Sequence, residues 1–74
     1  MQDREFLDQV IITLLKVKTP KEIDRVIQRN DKVEENMVYD EHYDKYIALK
    51  LIKEYEVIIK YDEENESLTF ENNL

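Results

Sequence analysis

The chain has no cysteine, no glycine and no tryptophan, and only one proline and one histidine among its 74 residues. Without cysteine it can form neither disulfides nor thiolate metal sites, and its composition leaves the redox compartment open. Without glycine it cannot build the loops that cradle phosphates or dinucleotides, where the backbone must approach a ligand more closely than a Cβ permits. A lone His42 cannot make a two-histidine metal site; it reads as a solvated helix residue or, alternatively, a pH-sensitive partner contact. Besides tyrosine, the hydroxyl side chains are Thr13, Thr19, Ser67 and Thr69. No histidine stands near Ser67 or Thr69 to activate them, so a nucleophile–base pair is missing. The expectation is a non-enzyme with no catalytic residue, cofactor, metal or small-molecule substrate. No apolar run approaches the roughly 20 residues that span a bilayer. The opening Met1-Gln2-Asp3-Arg4-Glu5-Phe6 carries acids where a leader would be basic and then apolar. A soluble, cytoplasmic protein is expected, with no membrane contact.

Hydrophobic residues make up 42% and charged residues 39% of the chain, a globular balance, and the length suits a single domain over residues 1–74. A chain of this size hides roughly 60–65% of the surface its unfolded form exposes, which leaves stability marginal. With disulfides and thiolate metals excluded, self-association is the common stabiliser that remains, so a homodimer is one expectation. The net charge is −7, and it is unevenly spread. Residues 1–15 hold Asp3, Glu5 and Asp8 against Arg4; residues 16–32 carry six bases against three acids; residues 33–74 carry twelve acids against four lysines.

Apolar residues Phe6, Leu7, Val10, Ile11, Leu14 and Leu15 recur at helical spacing, with Ile12 and Val17 widening the stripe. They predict an amphipathic helix over about 4–17 with a broad buried face. In Thr19-Pro20-Lys21-Glu22, a threonine cap, a proline at the first helical position and a glutamate at the third form a capping box. It opens a second helix over about 19–30, with Ile23, Val26 and Ile27 inward. A third helix over about 39–53 is apolar nearly all round, through Tyr39, Tyr43, Tyr46, Ile47, Ala48, Leu49, Leu51 and Ile52. Such a helix is expected to be covered on more than one side. The period then changes to two. Val57, Ile59 and Tyr61 alternate with Ile58 and Lys60, and Leu68 and Phe70 share a face, which predicts a β-hairpin over about 57–71. Its turn, Asp62 to Glu66, has Asn65 as the residue best suited to a positive φ, and Asn72-Asn73-Leu74 reads as a frayed tail. The fold class is α+β: a three-helix bundle with a helix-turn-helix, followed by a C-terminal hairpin.

Three helices and a hairpin, the second helix capped tightly after the first and the stretch Tyr46 to Phe70 ending in a wing-like hairpin, resemble the winged-helix family. The resemblance spans Phe6 to Phe70 as a pattern of elements rather than a fingerprint. The family's usual glycine before the first wing strand is absent, and Tyr55 stands near that place. In DNA-binding members the start of the third helix enters the major groove. The resemblance puts Tyr39, Asp40, Glu41, His42, Tyr43 and Asp44 there, and Asp62-Glu63-Glu64-Asn65-Glu66 at the wing tip. Both contact points carry the sign that phosphate repels.

The favoured expectation is a small acidic protein-binding module, regulatory or inhibitory. Its carboxylates would imitate the phosphate array of DNA and occupy the cleft of a nucleic-acid-binding protein. Phages and other gene-dense mobile elements encode proteins of this size and character. The contact set is Tyr39, Asp40, Glu41, Tyr43, Asp44, Tyr46, Glu63 and Glu64, in which tyrosine adds apolar area with a polar end. The alternative is a dimeric winged-helix transcriptional regulator that docks on DNA with Lys21, Arg25, Arg29 and Lys32, which recur on one face of the second helix. That stripe could also be a solvated face balancing the acids. The acidic turn at 62–66 could hold a hard cation, though it lacks the glycine and ligand spacing of a calcium loop, and a solvated turn is the default.

Overall fold

The computed structural model describes residues 2–33 and 43–73. It contains α1 (Asp3–Leu14), α2 (Pro20–Val33), α3 (Tyr43–Tyr55), β1 (Ile58–Asp62) and β2 (Ser67–Glu71), so the three helices and the hairpin stand in the expected order. The expected beginning of α3 at Tyr39 or Asp40 lies outside the described residues.

α1 stops at Leu14 rather than at residue 17. From there the backbone tightens into i→i+3 bonds, Lys16 N–H to the Thr13 carbonyl and Val17 N–H to the Leu14 carbonyl. The cause lies ahead in the chain. Proline disfavours helical backbone in the residue before it, so Thr19 must leave the helix and the turn must close before it. The capping box then forms as the sequence implies. The Thr19 N–H donates to Glu22 Oε2 at 2.8 Å, and the Glu22 N–H donates to Thr19 Oγ1 at 3.3 Å. The Thr19 N–H first, and then the Thr19 hydroxyl, which donates to the same Oε2 at 3.2 Å, hold the Glu22 carboxyl below the usual carboxylate range. α2 continues to Val33, past the expected end near Asn30.

The core consists of Leu7, Val10, Leu14, Ile23, Val26, Ile47, Ala48, Leu51 and Val57. α1 and α2 both pack on α3, and β2 reaches α1. Phe6 meets Phe70 with ring centroids 5.7 Å apart at 56°, a tilted aromatic contact that ties the hairpin to α1. Four expected burials do not occur. Ile12, Leu15 and Val17 are 53%, 45% and 46% exposed, and Leu49 is 50% exposed. Ile12 lies about 160° around the α1 axis from Val10 and Leu14, whose side is the one α3 covers, and Leu15, at the helix end, is turned about 100° or more from both. Leu49 likewise points away from Ile47, Ala48 and Leu51.

β1 and β2 pair antiparallel, Ile59 opposite Phe70 and Tyr61 opposite Leu68. Burial alternates along β2 but not along β1, where Ile58 is half-buried like Ile59 and Tyr61 is 61% exposed. The tail is anchored rather than frayed at Asn72, whose side-chain Nδ2 donates to the Thr13 carbonyl at 2.7 Å. Asn73 reaches Glu56 through its side-chain amide.

Two positions need left-handed backbone, and in a chain without glycine both fall on glutamate: Glu56 with φ 52° and Glu66 with φ 48°. Glu56 ends α3 in a Schellman arrangement, in which the Val57 N–H returns to the Ile52 carbonyl at 3.1 Å. Glu66 closes the hairpin turn, where Asn65 was the expected residue. Asn65 instead donates through both its backbone and its side chain to Asp62. A Cβ is strained at such angles, so Glu56→Gly and Glu66→Gly should each stabilise the fold by about 1 kcal/mol. Urea denaturation should show a raised midpoint with an unchanged slope; a lowered midpoint would contradict the strain.

Candidate functional site

Of the acidic and aromatic set, Tyr43, Asp44, Tyr46, Glu63 and Glu64 are described; Tyr39, Asp40 and Glu41 lie outside the described residues. The five differ in their surroundings. Tyr43 and Tyr46 are half-buried and pack against the core. Asp44 turns toward α1, 3.9 Å from Arg4 Nη1 and with 23% of its side chain exposed. Glu63 and Glu64 are exposed at the far end of the hairpin. The Glu64 N–H and the Asn65 amides all donate to the Asp62 carboxylate, holding it below the usual range, Asn65 contributing most. Within the described residues, no group of three or more histidine, cysteine, aspartate or glutamate side chains could hold a metal ion.

Lys21, Arg25 and Arg29 are exposed along α2, as their spacing implies; the Lys32 side chain lies outside the described residues. What sequence reasoning missed is the other basic face. All three lysines of α3 stand on its outward side. Lys45 and Lys53 are exposed and flank Leu49 at four-residue spacing, while Lys50 lies 5.2 Å above the Tyr46 ring. They went unnoticed because a net count over residues 33–74 buried them among twelve acids. Their phase opposite Ile47, Ala48 and Leu51 was the available signal.

The two basic faces meet. Arg29 Nη2 is 3.1 Å from Glu54 Oε2, an ion pair that joins the flank of α2 to the flank of α3. Arg25 precedes Arg29 by one helical turn and Lys50 precedes Glu54 by one turn, while Lys53 adjoins Glu54. The ion pair therefore sets the α2 flank that carries Arg25 and Arg29 beside the flank of α3 on which Lys50 stands one turn before Glu54. Tyr55 fixes the same seam further along. Its hydroxyl donates to the Glu22 carbonyl at 3.1 Å, and Lys18 Nζ lies 5.4 Å from its ring centroid. A separate open depression of about 310 Å³ is lined by Asp3, Phe6, Lys45 and Leu68.

Comparison with protein-family models, with curated proteins and with solved structures finds no match.

Desolvation, then the nearby Glu22 and Glu54 carboxylates, raises the Tyr55 phenol above the usual value for tyrosine. The neutral phenol is thus the form the fold prefers. Its contribution is complete below the ordinary tyrosine range and fades as pH climbs through the raised value. In an ultraviolet-monitored alkaline titration, Tyr55→Phe should remove a late-ionising component. Loss of an early component instead would show that the seam does not enclose this ring.

Proposed function

We infer that the chain is a small regulatory module that docks on nucleic acid through the α2–α3 seam, in the manner of a winged-helix-like regulator and without chemistry of its own. The observation that carries this reading is the Arg29–Glu54 ion pair at 3.1 Å, which joins the exposed basic stripe Lys21, Arg25 and Arg29 of α2 to the flank of α3 where Lys50 stands one turn before Glu54. A net charge of −7 repels a polyanion at long range, but binding is decided by how many phosphates the contact surface neutralises. Among the described residues, the acids meant to imitate DNA give that reading less support, since Asp44 faces Arg4 and Glu63 and Glu64 sit at the hairpin's end.

The test is fluorescence anisotropy with a labelled duplex over a salt series. Affinity should fall with salt at a logarithmic slope near −0.9 per neutralised phosphate. Arg25→Glu and Lys50→Glu should each weaken binding roughly tenfold, and Glu54→Gln should tighten it. No retention at the lowest salt would overturn this reading.

A second reading keeps the protein-binding, inhibitory role. It is favoured by the hairpin's end, where exposed Glu63, Glu64 and Glu66 adjoin the exposed ring of Tyr61. Carboxylates around an aromatic anchor suit a basic protein surface. The two readings separate at Glu63→Lys with Glu64→Lys. This pair should abolish capture of a protein partner under the second reading and leave duplex binding intact or tighter under the first.

A further inference from the structure

The outward side of α1 is the largest gathering of exposed apolar side chains in the described residues, and neither functional reading uses it. Ile12 and Leu15 stand there half out of water, on the side of the helix away from α3, and Val17 follows in the turn. Ile11 is half-buried beside them. Among the described residues the large exposed hydrophobics are five, and three of them fall within this six-residue stretch. The fold makes no internal use of them.

The charges around this patch name its occupant. Asp8 lies one turn before Ile12, about 6 Å back along the axis, and Lys16 lies beyond Ile12 in the opposite direction, in the turn that follows Leu14. Asp8 is half exposed, and its ion pair with Arg4 is a surface one at 3.5 Å. Lys16 is exposed. A helix bearing an acid on one side of an apolar centre and a base on the other is complementary to itself when reversed. A two-fold axis through Ile12 places Asp8 of each copy opposite Lys16 of the other. The parallel alternative sets acid against acid and base against base, and the helix dipoles also oppose it. The exposed Glu5, nearer the start of α1, has the same polarity as Asp8.

We propose that a second copy of this chain covers the outward face of α1, the two helices pairing antiparallel with Ile12 and Leu15 at the centre and Asp8 facing Lys16 across the axis. This goes beyond the nucleic-acid reading and does not depend on it. It also gives a small domain without disulfides a way to hide side chains that its own core leaves wet.

Sedimentation equilibrium of the full chain over a wide concentration range tests the pairing. The wild type should pass from monomer to dimer. Ile12→Glu should weaken association by at least roughly a hundredfold, because it sets two carboxylates against each other at the axis. Asp8→Lys alone and Lys16→Asp alone should each weaken it, by about tenfold, because every dimer contains the pair twice. The double variant Asp8→Lys with Lys16→Asp should return it to near the wild-type value. That recovery cannot come from a general loss of stability, and circular dichroism checks that each variant is folded. Tyr61→Glu, which changes an exposed ring off this face, should leave association unchanged. A wild type monomeric at every concentration would overturn the proposal. So would a dimer indifferent to Ile12→Glu, or a double variant no better than the singles.

Discussion

Val10 and Leu14 of α1 and Ile47 and Leu51 of α3 are the largest side chains wholly removed from water. They meet where the two helices pack, and every other element is placed by reference to that contact. α2 adds Ile23 and Val26 to one side of it, and Val57 adds the start of the hairpin. Burying a large aliphatic side chain contributes on the order of 1.5–3 kcal/mol, and removing one from a close-packed site costs more because a cavity remains. With so few fully buried side chains, the fold has little redundancy. The consequence extends to the surface, because the side of α3 left uncovered by that packing is the side that presents its lysines.

The absence of glycine shapes the second half of the chain. α3 must end sharply for β1 to fold back, and the hairpin must turn in four residues; each needs one residue in left-handed backbone. Glutamate fills both places, and the strain is offset by local hydrogen bonds: Val57 to Ile52 at the helix end, and the Asp62 carboxylate gathering the turn amides at the other. The hairpin is therefore built on hydrogen bonding where a flexible residue would ordinarily serve.

Much of this architecture was legible from local chemistry. Thr19, Pro20 and Glu22 mark the start of α2 because a capping box depends only on residues three apart. The alternation of Val57, Ile59 and Tyr61 marks the strand for the same reason. Illegible were the features set by what covers what. Helical spacing gives the angular position of Ile12, Leu15 and Leu49, but it cannot say which arc a neighbour will occupy. In a bundle this thin only one arc of α1 is covered. The candidate surface was half legible. Lys21, Arg25 and Arg29 declare a stripe by their spacing, whereas its junction with α3 depends on the ion pair between Arg29 and Glu54, which joins residues far apart in sequence. Asp44 misleads in the opposite direction: its charge is visible in the sequence, and its turn toward Arg4 is not.

One modest contact shapes the way the molecule comes apart. The side-chain amide of Asn72 is fastened to the Thr13 carbonyl, just beyond the last residue of β2 and just before the last residue of α1. Together with the Phe6–Phe70 contact it clamps the hairpin to the first helix at two separated points. The two strands are therefore not a flap that opens by itself. Any fluctuation that lifts them must also loosen α1, so the beginning and the end of the chain belong to one cooperative unit.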